Sequence, residues 1–199
     1  MKKSILLVAL FALVSMGSFA QVTPLVKGGM NISNYYGGDS DNAKTLIGGR
    51  FGFGIEYQFN DLVSLQPTLY LSHKGAKYGN DNANVKFHEW YLDMPIDVQL
   101  RFNIADNTNL TVAAGPYIAY GIFGKTKGTG AFLGNEYTGD VDTFGDNRLK
   151  RFDAGLNFEL GFEFGKFLVG GSYELGLVKP YSDSKCYNSN FSINVGYKF

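Results

Sequence analysis

His73 and His88 are the side chains best suited to acid–base chemistry near neutral pH, and a hydroxyl stands beside the first of them at Ser72. A serine next to an imidazole is the pair that a hydrolase uses, so a lipid-modifying hydrolase is one interpretation. Such a centre also needs a third group to orient the imidazole, and the sequence identifies none. The pattern favours surface histidines, and we predict that the chain has no catalytic residue and is not an enzyme.

Carboxylates cluster in residues 139–146, and Asp39 and Asp41 lie in an earlier polar segment. Oxygen ligands of this kind bind Ca²⁺, but their spacing does not match an EF-hand loop. Solvated loops without metal are the preferred interpretation. Residues 128–130, Gly-Thr-Gly, fit a phosphate-binding loop poorly, so we expect no cofactor.

The composition favours strands and turns over helices. Of 199 residues, 26 are Gly and only 5 are Pro, and aromatic residues make up 16%. The only cysteine is Cys186, which excludes an internal disulfide and a metal site built on cysteines. We expect Cys186 on an external loop, without a special role.

The N-terminus has the three parts of an export signal. Lys2 and Lys3 are followed by an apolar run over residues 5–14 and by the small-x-small sequence Ser18-Phe19-Ala20. We predict a signal peptide over residues 1–20, cleaved after Ala20, and one domain over residues 21–199. Without Lys2 and Lys3 the chain has 16 basic and 18 acidic residues, a balance that predicts no nucleic-acid partner.

The remaining chain alternates apolar and polar residues, the period of a β-strand. The last segment, residues 191–199, shows the pattern without interruption and ends on an aromatic residue. Seven earlier segments share it: residues 25–34, 47–59, 63–74, 90–102, 109–123, 151–164 and 167–177. Pro67 lies in one of them, where proline normally marks an edge or a bulge, but the alternation continues on both sides.

The connections between these eight segments alternate between long and short. Long polar loops are predicted at residues 35–46, 75–87, 124–150 and 179–188, and aromatic residues gather beside the short turns. Short periplasmic turns, long external loops and an aromatic girdle are typical of outer-membrane barrels. We therefore predict an all-β fold, an eight-stranded antiparallel transmembrane up-and-down β-barrel in the bacterial outer membrane. The alternative is a secreted, soluble, lipocalin-like barrel.

Charged residues of the strands fall almost wholly on the polar face, which would line the lumen. Buried charges must pair, so we predict a salt-bridged, plugged lumen. The predicted network comprises Lys27, Arg50, Glu56, Lys74, Asp93, Asp97, Arg101, Arg151, Asp153, Glu159, Glu163, Glu174 and Lys198.

Five segments, in order along the chain, resemble the PorT-like outer-membrane β-barrel proteins of Bacteroidota. They are residues 27–33 (KGGMNIS), 65–77 (LQPTLYLSHKGAK), 91–96 (YLDMPI), 114–117 (AGPY) and 151–157 (RFDAGLN). The resemblance implies an eight-stranded outer-membrane barrel and a part in the cell envelope. It supplies no catalytic residue, although the namesake group belongs to a protein-secretion apparatus.

We predict a non-enzymatic barrel that displays four external loops for binding or envelope integrity, with Phe132, Leu133 and Tyr137 as candidate binding residues. The alternatives are an accessory component of a secretion or envelope-assembly system and a lipid A-modifying barrel enzyme. Tyr197 and Phe199 form a candidate assembly signal. The expected partners are outer-membrane lipid, the barrel assembly machinery and an extracellular or envelope protein.

Overall fold

The structure is a computed structural model that describes residues 22–38, 40, 43–80, 83–132, 135–145, 149–181 and 185–199. The predicted signal peptide and its cleavage site lie outside these residues. No helix in the described ranges is long and apolar enough to span a membrane, a finding that does not concern strands.

The described chain consists mainly of β-strands. In chain order they are β1 (Val22–Gly37), β2 (Ala43–Gln58), β3 (Val63–Lys74), β4 (Ala76–Asn80), β5 (Ala83–Ala105), β6 (Thr108–Phe132), β7 (Asn135–Asp142), β8 (Phe152–Phe164), β9 (Phe167–Gly176) and β10 (Cys186–Lys198).

Eight of these strands close into an antiparallel ring, which confirms the predicted barrel. The ring runs β1–β2–β3–β5–β6–β8–β9–β10, and β10 pairs back onto β1 through contacts such as Val26 with Tyr197 and Ser33 with Asn190. Closure leaves no free edge in the ring, so every backbone group of the spanning part can pair within it.

The two faces of the ring differ in the way that the alternation predicts. Side chains that point outward are apolar and exposed, among them Phe53 at 64% and Leu160 at 57%. Side chains that point into the lumen are polar and buried, including Asn31 and Asp93, each at 0%. An apolar outer surface around a polar interior suits a barrel in lipid, whereas the soluble alternative requires the reverse.

The long loops of the sequence interpretation are wrong over much of their length. Within 35–46, β1 continues to Gly37 and β2 begins at Ala43; β4 and the start of β5 occupy most of 75–87. In 124–150, β6 continues to Phe132 and pairs with β7 as a hairpin. The pairing in these segments was missed because Gly, Asn and Lys dominate them and the apolar alternation is confined to a few residues, such as Val85 and Phe87.

Pro67 lies inside β3, as the continuing alternation predicted. It pairs with Ile96 of β5, but the ladder to β2 is interrupted between Gly54–Thr68 and Tyr57–Leu65. Proline has no backbone N–H to donate, which accounts for the missing rungs. The strand nevertheless keeps its register on both sides of the gap.

Candidate functional site

The structure separates the serine and the histidine of the hydrolase interpretation. The Ser72 side chain is buried in the lumen, where its Oγ accepts a hydrogen bond from Asn31 Nδ2 at 3.5 Å. His73 is the next residue of β3 and points to the other face, where its Nε2 lies 3.1 Å from His88 Nδ1. Successive side chains of a strand point in opposite directions, so Ser72 and His73 cannot form a nucleophile–base pair.

The two histidines belong instead to a stack of rings on the outer surface. The His73 ring lies 5.3 Å from that of His88 and 5.0 Å from that of Trp90, and Trp90 stacks in turn on Phe123 at 5.5 Å. The sequence predicted surface histidines but no contact between them. Their contact depends on the register of β3 with β5, which sets His73 opposite Trp90.

At the end of the lumen beside the short turns, charges from β2, β5, β8 and β10 meet. Lys198 Nζ lies 2.6 Å from both Glu56 Oε2 and Glu163 Oε2. Arg101 reaches the same two carboxylates, through Nη2 to Glu56 and through Nε to Glu163 at 3.2 Å. Two cations and two anions thus share one layer, so each carboxylate has two positive neighbours.

A second group lies further into the lumen and combines charge with amides. Lys27 Nζ donates to Glu159 Oε1 at 2.7 Å and to Gln66 Oε1 at 2.6 Å. Asp97 accepts a hydrogen bond from Asn157 Nδ2 at 2.8 Å. Gln66 and Asn157 were missed as members of the network because uncharged polar residues on the lumenal face give no sign of which charge they contact.

Towards the outer end, two carboxylates and two cations form a connected chain. Arg50 Nη1 lies 2.9 Å from Glu174 Oε1, and Lys74 Nζ lies 2.5 Å from Glu174 Oε2 and from Asp93 Oδ2. All four side chains are at most 6% exposed. The Arg50 guanidinium also packs over the Tyr70 ring at 4.1 Å.

Asp153 lies in the lumen, where it accepts hydrogen bonds from Tyr117 Oη at 3.0 Å and from Asn188 Nδ2 at 2.9 Å. The prediction for its neighbour Arg151 is wrong: this side chain is exposed and donates to the carbonyl oxygens of Gly121 and Ile122 at 2.7 and 3.0 Å. Arg151 precedes β8, which begins at Phe152, so the alternation of that strand does not determine where it points.

Among the residues that the structure describes, one lumenal acid was not predicted. Glu89 is 1% exposed and accepts hydrogen bonds from Tyr35 Oη and, at 3.0 Å, from Tyr91 Oη. Glu89 precedes residue 90, where its strand was predicted to begin, and it was therefore left out of the predicted lumenal network. The alternation of Glu89, Tyr91 and Asp93 could have identified it.

The structure describes only some of the residues predicted for the long loops. Phe132 ends β6 and Tyr137 lies in β7 opposite Gly130, whereas Leu133, Asp39 and Asp41 are outside the described residues. Cys186 is not on an exposed loop: it begins β10 and is buried beside Tyr35 and Ala76.

The residues of the predicted assembly signal, Tyr197 and Phe199, lie at the end of β10. Tyr197 and Phe199 lie in edge-to-face contact at 5.4 Å, and Tyr197 also contacts Phe167 of the neighbouring turn at 5.3 Å. The Phe199 backbone N–H donates to Pro24 O at 3.0 Å, so the end of the chain is held against β1.

Comparison with known proteins gives one family and several similar solved structures. The family model described as an outer membrane protein beta-barrel domain matches residues 19–181, and no curated protein matches the chain. Similar solved structures include Ail, the attachment invasion locus protein of Yersinia pestis (17% identity, 90% of this chain and 99% of that chain, TM-score 0.44). Others are neisserial surface protein A (12%, 88% and 97%, 0.48) and OprG from Pseudomonas aeruginosa (14%, 89% and 95%, 0.44).

The TM-scores of these solved structures are all below 0.5, and the assignment of this chain to a family rests on the family model instead. The family match spans most of the chain and coincides with the closed ring, its apolar outer face and its polar lumen. This protein therefore belongs to the family of outer membrane protein beta-barrel domains.

Proposed function

We propose that the protein is a non-enzymatic outer-membrane barrel with a plugged lumen, and that it acts through the strands and loops it projects outward. The observation that supports this most directly is the chain of contacts through Arg50, Glu174, Lys74 and Asp93, which crosses the lumen at distances of 2.5–2.9 Å. A channel needs a continuous water-filled lumen. A rigid, filled scaffold instead suits the display of binding elements.

Planar-bilayer recording tests the plug. The purified wild-type monomer should give no stable conductance steps. The double variant Arg50→Ala, Glu174→Ala removes two crossing side chains of one layer, but the Lys198–Glu163 and Lys27–Glu159 pairs still cross the lumen. If this variant migrates as a folded, heat-modifiable barrel, it too should give no stable steps. Large steps from the wild-type monomer would refute a plugged lumen.

The absence of enzymatic activity is supported by the opposite directions of Ser72 and His73. Lipid A mass spectra of cells with wild-type protein, with His88→Ala and without the gene product should be identical. A mass shift that requires both the protein and His88 would favour the lipid A-modifying alternative.

The β6–β7 hairpin is the proposed binding element, with Phe132 and Tyr137 near its tip, where Phe132 pairs with Asn135. Proximity labelling from the cell surface, with and without residues 129–138, tests this proposal: an extracellular or envelope protein should be labelled only by the intact chain. Labelling of secretion components by both chains would favour the accessory role, which rests on the PorT-like segments alone.

A further inference from the structure

Four lysines lie side by side across the outward face of the sheet, beyond the lipid-facing surface. The pairings of β2, β4, β5 and β6 set Lys44 opposite Lys77, Lys77 opposite Lys86 and Lys86 opposite Lys127. We call these four residues the lysine row. Like charges directly opposite each other destabilise a sheet, so the row costs stability unless an anion compensates for it.

None of the side chains that the structure describes provides that anion. On this face Lys125 forms an ion pair with Asp142 at 2.7 Å, but no carboxylate among the described side chains forms one with a member of the lysine row. The register places Asp140 at the far end of the row, opposite Lys127. One acidic position beside four lysines leaves an excess of positive charge.

The row lies at the height of lipid headgroups. On β5, Trp90 is the outermost large apolar residue of the outward face, a usual position for tryptophan at a membrane interface. Lys86 precedes Trp90 on the same face of β5, roughly 13 Å further out along the strand. A strand tilted by about 40° turns this into roughly 10 Å of height, which lies within or just above the polar layer that borders the hydrocarbon.

An open cleft connects the row with the apolar surface. It has a volume of about 350 Å³ and is lined by His73, His88, Trp90, Phe123, Lys125 and Lys127. The rings of Trp90 and Phe123 lie towards the membrane, and the ammonium groups lie towards the outside. A ligand that fits has an anionic head and an apolar tail.

We propose that the lysine row and this cleft bind phosphorylated lipid of the outer leaflet, with phosphate on the lysines and acyl chain against Trp90 and Phe123. Ammonium groups bind phosphate as point charges, and a basic cluster near an anionic lipid surface gains affinity with each lysine. A soluble polyanion would bind the lysines but would make no apolar contact with the rings of Trp90 and Phe123. This inference rests on the proposed function, in which the protein acts through the strands and loops that it projects outward, and it names a lipid as a partner of those strands.

Trp90 is the only tryptophan of the chain, so intrinsic fluorescence reports directly on the cleft. The full chain, refolded in neutral detergent, should change its emission and retain bound lipid in native mass spectrometry when titrated with bisphosphorylated lipid A. The same lipid without phosphates should bind at least tenfold more weakly. Inorganic phosphate and a soluble sulfated polysaccharide should not reproduce the emission change.

The variant K77Q/K86Q/K127Q should lose affinity by roughly fivefold for each lysine, about 100-fold in all. The variant K150Q/K166Q/K179Q removes the same charge elsewhere and should bind like wild type. Heat-modifiable migration shows that both variants are folded. Equal binding of dephosphorylated lipid, an equal loss in both variants, or tighter binding of the soluble polysaccharide would overturn the proposal. None of these outcomes depends on bilayer conductance or on the hairpin's protein partners, so this proposal can fail while the proposed function stands.

Discussion

Lys198 Nζ lies 2.6 Å from Glu163 Oε2 and joins the last strand of the barrel to β8, two strands away. The same ammonium lies 2.6 Å from Glu56 Oε2 on β2, two strands away in the other direction. A single side chain near the end of the chain therefore links three strands across the lumen.

Lys198→Met should destabilise the barrel by about 3–5 kcal/mol, because it leaves two buried carboxylates with Arg101 as their remaining cation. Urea unfolding followed by tryptophan fluorescence in lipid vesicles measures the free energy. Lys166→Gln, at an exposed turn lysine, is the control and should stay within about 0.5 kcal/mol of wild type. An equally small effect for Lys198→Met would mean that the observed ion pairs contribute little.

Deletion of Phe199 should lower the yield of inserted barrel in cells, because this residue ends the candidate assembly signal and its backbone N–H holds the chain end to Pro24. Phe167→Ala serves as the comparison, since Phe167 is an aromatic residue of the same rim with nearly the same exposure, 62% against 64%. The heat-modifiable fraction in outer-membrane preparations measures insertion. Equal losses in both variants would indicate a general need for rim aromatics.

Gly115→Ala should destabilise the barrel by about 1–3 kcal/mol or more. A Cβ at this position would lie 1.9 Å from Ile96 O and 2.9 Å from Asp97 Cα, both backbone atoms of β5, so the two strands would have to move apart. Gly139→Ala is the matched control, because a Cβ there has no atom within 4 Å. Urea midpoints of the two variants decide between a local clash and a general sensitivity of strand glycines.

His88 should titrate below the ordinary pKa of histidine. Partial burial lowers its pKa first, and the positive charges of Lys127, Lys86 and Lys77 lower it further. The folded protein therefore binds this proton only at lower pH than the unfolded chain, and His88 is neutral at pH 7, free to share a hydrogen bond with His73.

Replacing those three lysines with glutamine should raise the pKa of His88, whereas K150Q/K166Q/K179Q should leave it unchanged. NMR of the imidazole Cε1–Hε1 group in micelles measures both. A midpoint that is the same in wild type and in both variants would show that the lysine row does not act on this ring.

The alternation within each strand predicted which side chains face outward and which face the lumen. In β10, Phe191, Ile193 and Val195 face outward, while Asn194 and Lys198 are buried, as a period of two requires. The pairing of β10 with β1 could also be inferred, because a barrel in lipid must leave no edge.

Register and strand length were decided only in the tertiary structure. Three contacts depend on how neighbouring strands are staggered. They are the ion pairs of Lys198 with its carboxylates, the contact of His73 with His88, and the alignment of four lysines from separate strands in one row. No single strand encodes that stagger. Beyond the membrane, Ala76–Asn80 and Asn135–Asp142 are short strands in which Gly, Asn and Asp interrupt the apolar residues, so no sustained alternation marks them in the sequence. Alternation therefore predicted the strands where lipid requires one face to be apolar. It did not predict the strands that extend beyond the membrane into water.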